Sequence, residues 1–151
     1  SHLISNSKNF FLNSKSSRSV NKLLLNFVID STGSMGPFIE GTKKLVSGII
    51  EEFKRKGLYL SVGILGYRDY DVKDSEKFIK MDYSYIFDEK AFYDNFKASG
   101  GGDEAENIAG GLNESFNMPF NESDFFTKAI ILIADAPCHG EKYHSKEISG
   151  F

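Results

Sequence analysis

Runs of apolar residues alternate with helical patterns along the chain from residue 23 onward. Residues 23–29 are almost continuously apolar and end at Asp30, which is typical of a strand buried on both faces of a parallel sheet. Residues 58–66 and 129–134 have the same character, and in residues 79–87 apolar and polar positions alternate. These patterns predict three buried strands and one half-exposed strand.

Between the strands, apolar residues recur at spacings of three and four, which predicts helices with one core-facing side. The first helix has Gly57 just past its end and a solvent-exposed face that includes Glu40, Lys43 and Lys44. Its predicted core-facing positions are Met35, Phe38, Ile39, Thr42, Leu45, Val46, Ile49, Ile50 and Phe53.

Two further helices are predicted before the last strand. Asp88 can cap a short helix over residues 89–98. Three glycines at residues 100–102 indicate a loop, because glycine is costly inside regular elements. Apolar positions then recur at helical spacing from Ala105 to Phe116.

The order of elements predicts an α/β fold with a mostly parallel, Rossmann-like sheet and helices on both faces. Residues 1–22 are rich in Ser, Asn and Lys and are expected to form a flexible leader. Residues 23–151 are expected to form one domain, since no boundary is visible within them.

Composition excludes several functional classes. A net charge of -3 provides no basic field for nucleic acid. The single cysteine, Cys138, allows no intrachain disulfide. No apolar run is long enough for a membrane span, and no signal-peptide pattern opens the chain. A cytoplasmic protein is therefore expected.

Acidic residues follow the predicted buried strands. Asp30, Asp69 and Asp135 each come at a strand end, and Asp103 lies in the glycine loop. Ligands of open α/β sheets bind at the carboxyl ends of the strands. Because clustered carboxylates repel each other, a bound cation is the simplest counter-charge.

The segment after the first strand supplies oxygen ligands on alternate residues. Asp30, Thr32 and Ser34 offer one carboxylate and two hydroxyls, which can face the same way in an extended turn. Oxygen ligands favour Mg²⁺, Mn²⁺ or Ca²⁺ over zinc.

These residues resemble the metal-ion-dependent adhesion site of von Willebrand factor A domains. The resemblance implies that Asp30, Thr32, Ser34, Asp103 and Asp135 hold the cation. It also implies a non-enzymatic protein-binding module, in which a carboxylate of the partner commonly completes the metal shell. Arg68 and Asp69 would lie on the partner-binding rim.

The motifs at residues 30–35, 66–70, 100–106 and 134–140 are similar to the A domain of some eukaryotic alpha-kinase proteins, over residues 23 to about 145. The family's strand order, 3-2-1-4-5-6, would leave the fourth strand at an edge, because its last two strands are missing here. The resemblance therefore implies a domain incomplete at its C-terminus, or one whose exposed strand pairs with a partner or a second copy. No alpha-kinase catalytic sequence is present.

Many family members have Thr where this chain has Asp103. Three carboxylates instead of two around a divalent ion leave one negative charge in excess. This predicts tighter cation retention and weaker attraction for an acidic partner, which Arg68 at the rim could restore.

Several alternative interpretations remain. Asp30 with Thr32 and Ser34 could be a simple turn and helix cap. The chain could also be a scaffold fragment with a vestigial site. The same string fits haloacid-dehalogenase-type phosphatases, where Asp30 would be the nucleophile.

Two other groups of residues also have alternatives. Arg68 and Asp69 could form a structural ion pair. Cys138, His139 and His144 could form a zinc site, or could simply pack their loop.

Overall fold

A computed structural model describes residues 22–69, 72–100, 107–121 and 127–135. Apart from Lys22, which opens the first strand, the predicted leader lies outside these residues. The strands are β1 (Lys22–Asp30), β2 (Tyr59–Tyr67), β3 (Phe78–Ser84) and β4 (Thr127–Ile133). The helices are α1 (Ile39–Arg55), α2 (Glu89–Asn95) and α3 (Ile108–Asn117), with 3-10 turns at Gly33–Met35 and Asp74–Glu76.

The strands form one sheet in the order β3-β2-β1-β4. β1 is parallel to both β2 and β4, and β3 is antiparallel to β2. The apolar run of β1 thus belongs to a strand with a neighbour on each side, as predicted for a buried position. The predicted α/β fold with a mostly parallel sheet is confirmed.

Side chains alternate between two cores, one on each face of the sheet. On the first face, Phe27 and Ile64 pack with Val46 of α1 and Phe92 of α2. On the second face, Val28, Leu65, Tyr67 and Met118 form a smaller cluster against which Ile108 and Leu112 of α3 pack. The helices therefore cover both faces of the sheet. This packing holds the carboxyl ends of β1, β2 and β4 in place relative to each other.

Local signals set the helix ends. Gly57 takes a positive φ of 79° just past α1, a conformation that glycine adopts without strain. The Asp88 side chain accepts a 2.9 Å hydrogen bond from the Ala91 amide, so the predicted cap is confirmed, although α2 ends at Asn95. Asn107 caps α3 by accepting from the Gly110 amide at 3.0 Å, a role the sequence analysis missed.

The prediction that Lys43 lies on a solvated face is wrong. Its side chain is buried, with 4% of the residue exposed. The ammonium donates to Oε1 of Glu40 at 2.9 Å and to the carbonyl of Tyr93 at 2.8 Å, and it lies 5.4 Å from the Tyr93 ring centroid. These partners offset the cost of burying a charge, which periodicity alone does not reveal.

Three predicted core positions are instead exposed: Phe38 (58%), Leu45 (53%) and Phe116 (58%). Phe38 immediately precedes α1 and Leu45 lies within it, and the buried face of α1 is narrower than its apolar pattern predicts. β4, predicted as fully buried, is half-buried because the described sheet ends there, and Leu132 is exposed.

A polar pair interrupts the second face of the sheet. Asn26 of β1 is fully buried, and its amide nitrogen donates to the Tyr83 hydroxyl at 2.8 Å. The same nitrogen lies 3.3 Å from the Met118 sulfur. Burial raises the pKa of the Tyr83 phenol above its usual 10, and the hydrogen bond from Asn26 opposes that rise.

Glycines in two helices differ in what surrounds them. A Cβ added to Gly111 of α3 would lie 2.7 Å from a ring carbon of Tyr67, so the missing side chain lets the helix approach β2. Gly48 of α1 has nothing within 4 Å of the same position.

In the described segments, no helix has both the length and the apolar character needed to cross a bilayer.

Candidate metal site

The first loop of the site is built on the end of β1. Asp30 is the last residue of the strand and is fully buried. Its Oδ1 accepts two hydrogen bonds from Thr32, one from the backbone amide at 2.9 Å and one from the hydroxyl at 2.6 Å. The carboxylate thereby closes the turn that follows the strand, as Asp side chains often do.

Ser34 and Asp135 extend this cluster towards solvent. The Ser34 hydroxyl lies 3.1 Å from the Thr32 hydroxyl and 3.4 Å from Oδ1 of Asp135. Because β4 lies beside β1, a residue just past the end of β4 reaches the loop that follows β1. The structure therefore brings together Asp30, Thr32, Ser34 and Asp135. Asp103 lies outside the described residues.

The charge of Asp30 is poorly compensated within the described residues. Its Oδ2 is buried and has no hydrogen-bond partner among them. Burial raises the pKa of this carboxyl, the two hydrogen bonds from Thr32 oppose the rise, and the nearby Asp135 carboxylate adds to it. An unpartnered buried carboxylate oxygen beside a second carboxylate is a site that a cation would stabilise.

The donor set fits a hard divalent cation. Two carboxylates and two hydroxyls meet at one place, and all four side chains offer oxygen. Within the parts of the chain that are described, no three His, Cys, Asp or Glu side chains form a metal-binding group. The predicted zinc alternative at Cys138, His139 and His144 lies outside those parts.

A second loop lies directly against the first. The Ser99 amide donates to the Ser31 carbonyl at 2.9 Å, and the Gly33 amide donates to the Gly100 carbonyl at 2.6 Å. A Cβ on Gly33 would lie 2.8 Å from that carbonyl oxygen. The sequence predicts a glycine loop at this site, but no pattern in it indicates this close approach of Gly33.

Arg68 and Asp69 follow β2 at the same edge of the sheet. Asp69 is buried, with 5% of the residue exposed. The Arg68 guanidinium donates to the carbonyl oxygens of Glu76 at 3.1 Å and Lys97 at 3.0 Å. Arg68 thus binds two backbone carbonyls, and Asp69 is largely enclosed by the protein. The role of both residues in partner binding stays a prediction.

Comparison with known proteins agrees with this arrangement. The sequence profile of the von Willebrand factor A domain matches residues 24–148. The chain belongs to the von Willebrand factor A family. It is 34% identical over 125 residues to the alpha-protein kinase vwkA of Dictyostelium discoideum. That match covers 79% of this chain and 19% of the relative, so the chain spans about a fifth of the relative's length.

The predicted family and the predicted similarity to alpha-kinase proteins are thereby confirmed. Von Willebrand factor A domains are generally non-catalytic, so the domain is a protein-interaction module rather than an enzyme. Nothing in the match favours the phosphatase interpretation. Asp30 is also a poor candidate for a nucleophile, because it is fully buried and Oδ1 is bonded to the following turn.

Proposed function

We propose that this domain binds a partner protein through a divalent cation held by Asp30, Thr32, Ser34, Asp103 and Asp135. The observation that carries the proposal is the buried Oδ2 of Asp30, which has no partner among the described residues. A cation beside it would offset the electrostatic cost of that burial. The hydroxyls of Thr32 and Ser34 add oxygen donors without further negative charge.

Mg²⁺ is the cation that suits this set best, with Mn²⁺ and Ca²⁺ as alternatives. Mg²⁺ prefers six oxygen ligands and usually keeps several waters, so some of the three carboxylates could reach it through water. Exposed Asp135 lies at the solvent side of the cluster and fully buried Asp30 at the sheet side. A partner approaching from the Asp135 side could add a carboxylate oxygen to the ion. The excess negative charge contributed by Asp103 would favour retention of the ion over capture of an acidic group.

The setting of this module is also a proposal. Similarity to a kinase of which the match covers 19% supports a domain that works within a larger cytoplasmic protein. β4 forms one end of the described sheet, and its free edge could pair with a further strand, a partner or a second copy.

Thermal unfolding with and without Mg²⁺ tests the cation site. A ligand that binds only the folded state stabilises it by about 2.7 kcal/mol at one hundred times its Kd. We expect Mg²⁺ to raise the melting temperature of the wild-type chain and to leave Asp30→Asn unchanged. Asp82→Asn is the matched control, because Asp82 is exposed on β3 at the other edge of the sheet.

Three outcomes would overturn the proposal. An equal rise in Asp30→Asn would place the cation elsewhere. No response of the wild type to Mg²⁺, Mn²⁺ or Ca²⁺ would indicate a vestigial site. Turnover of an aryl phosphate that Asp30→Asn abolishes would instead support the phosphatase interpretation.

A further inference from the structure

The first loop of the candidate site, residues 31–34, is here called the metal loop. A short segment, residues 96–100, runs beside it and is here called the strap. It starts at Phe96, which is fully buried in the first core. A Cβ on Gly66 of β2 would lie 2.7 Å from the Phe96 ring and 2.5 Å from the Ser31 hydroxyl. The missing side chain of Gly66 therefore lets the strap and the metal loop approach the end of β2 together.

Arg68 forms a hydrogen bond with the next part of the strap. One arm of its guanidinium donates to the Lys97 carbonyl at 3.0 Å and the other to the Glu76 carbonyl at 3.1 Å. The Arg68 amide also donates to the Lys77 carbonyl at 2.8 Å, which fixes the base of the side chain. A planar guanidinium presents its donors in a rigid fork, so one residue can bridge two carbonyls.

The far end of the strap holds the metal loop itself. The amide of Ser99 and the carbonyl of Gly100 each make a backbone hydrogen bond to that loop, at 2.9 and 2.6 Å. The second of these bonds involves Gly33, which lies between Thr32 and Ser34. It therefore restrains the backbone between two hydroxyls that are 3.1 Å apart.

We propose that Arg68 is a positioning residue for the cation site, acting through the strap rather than by contact with the ion or the partner. The inference rests on the proposed function, because it concerns the affinity of that site for its cation. The Arg68 guanidinium binds the Lys97 carbonyl, and the Gly100 carbonyl of the strap binds the Gly33 amide. Gly33 in turn fixes the spacing of the Thr32 and Ser34 hydroxyls. Loss of the fork would loosen this spacing without removing any ligand.

Substitution by lysine separates this role from a simple charge effect. Arg68→Lys keeps the positive charge but replaces the planar fork with a point charge. Removing groups that orient metal ligands typically weakens metal binding by about 10- to 100-fold. We expect Arg68→Lys and Arg68→Gln both to raise the Kd for Mg²⁺ by about 10-fold in calorimetric titration. Arg55→Lys, on the exposed surface of α1, is the control and should match the wild type.

A second variant tests the same linkage from the other side. Gly33→Ala places a Cβ 2.8 Å from the Gly100 carbonyl and should push the strap away. We expect its Kd for Mg²⁺ to rise as in the Arg68 variants. Gly41→Ala, where nothing lies within 4 Å of the added Cβ, is the control.

The results distinguish this inference from the proposed function. Wild-type Mg²⁺ binding that Arg68→Lys preserves would overturn the positioning role and leave the cation site standing. A lower melting temperature with an unchanged Kd would show a purely structural role and would also overturn it. Absence of wild-type binding would instead overturn the proposed function.

Discussion

The Thr32 hydroxyl donates a 2.6 Å hydrogen bond to Oδ1 of Asp30, and the Thr32 amide donates to the same oxygen at 2.9 Å. One residue thus satisfies half of a buried carboxylate and leaves the other half, Oδ2, without a partner in the described chain. The turn is therefore shaped before any cation arrives. Binding a cation would complete an existing arrangement rather than organise a new one.

Replacing Thr32 tests how much its hydroxyl contributes. Thr32→Val keeps the shape but removes the bond to Asp30, which should lower the free energy of unfolding by about 1–3 kcal/mol. Thr32→Ser keeps the hydroxyl and should cost less. Urea unfolding at constant pH without divalent cations measures both. A larger loss in Thr32→Ser than in Thr32→Val would show that the methyl group, rather than the hydroxyl, matters at this position.

Neutralising Asp30 should have opposite effects with and without cation. Asp30→Asn removes a buried charge, so the cation-free protein should gain about 1 kcal/mol of stability. In saturating Mg²⁺ the wild type should become the more stable of the two. Paired urea unfolding curves in EDTA and in Mg²⁺ measure the crossover. A variant that is less stable than the wild type in EDTA would show that the carboxylate is already compensated.

The buried Lys43 should matter more than its neighbour. Lys43→Ala removes the donor shared by Glu40 and the Tyr93 carbonyl, and should cost about 1–3 kcal/mol. Lys44 is exposed on the same helix, so Lys44→Ala should stay within about 0.5 kcal/mol of the wild type. Chemical denaturation of the two variants decides the point, and similar costs would contradict the observed burial.

Two helical glycines should respond oppositely to alanine. Gly111→Ala would push α3 away from the Tyr67 ring and should cost about 1–3 kcal/mol. Gly48→Ala meets no neighbour and should stabilise α1 by about 0.5–1 kcal/mol. Thermal melting of both variants provides the comparison. Stabilisation by both substitutions would mean that α3 packs less closely than the structure shows.

Tyr83 should make the protein sensitive to alkaline pH. Because its pKa is raised in the folded state, its phenol contributes stability that is fully present below pH 10 and is lost as pH rises through the folded pKa. Tyr83→Phe should lose less stability than the wild type over that window. Urea unfolding from pH 9 to 11 measures the difference in slope. The variant should also be less stable at pH 7, because Asn26 loses its acceptor. Identical slopes would contradict the raised pKa.

The sequence predicted the parts of this fold that depend on long apolar runs. Residues 23–29 are apolar on both faces because β1 is central in the sheet, and periodicity captures that directly. Periodicity failed for Lys43, whose burial depends on Tyr93, fifty residues away in the chain. It also failed for Leu45, since an apolar flank of a helix is buried only where another element covers it.

The candidate site could also be predicted only in part. The clustering of Asp30, Thr32 and Ser34 could be predicted because they share one short motif, and that of Asp135 because it follows a neighbouring strand. The strap contacts could not be predicted, since they involve backbone groups of Ser31, Gly33 and Ser99 that leave no side-chain pattern.

β1 has hydrogen-bonded neighbours along both of its edges. Segments in such positions tend to open only with the whole domain, whereas loops open more readily. Asp30 therefore lies at the end of a rigid strand, while Gly100 and Asp135 approach it from segments outside the strands. If docking alters the shape of this rim, the displacement should fall on those two approaching segments, with the first carboxylate acting as the fixed point of reference.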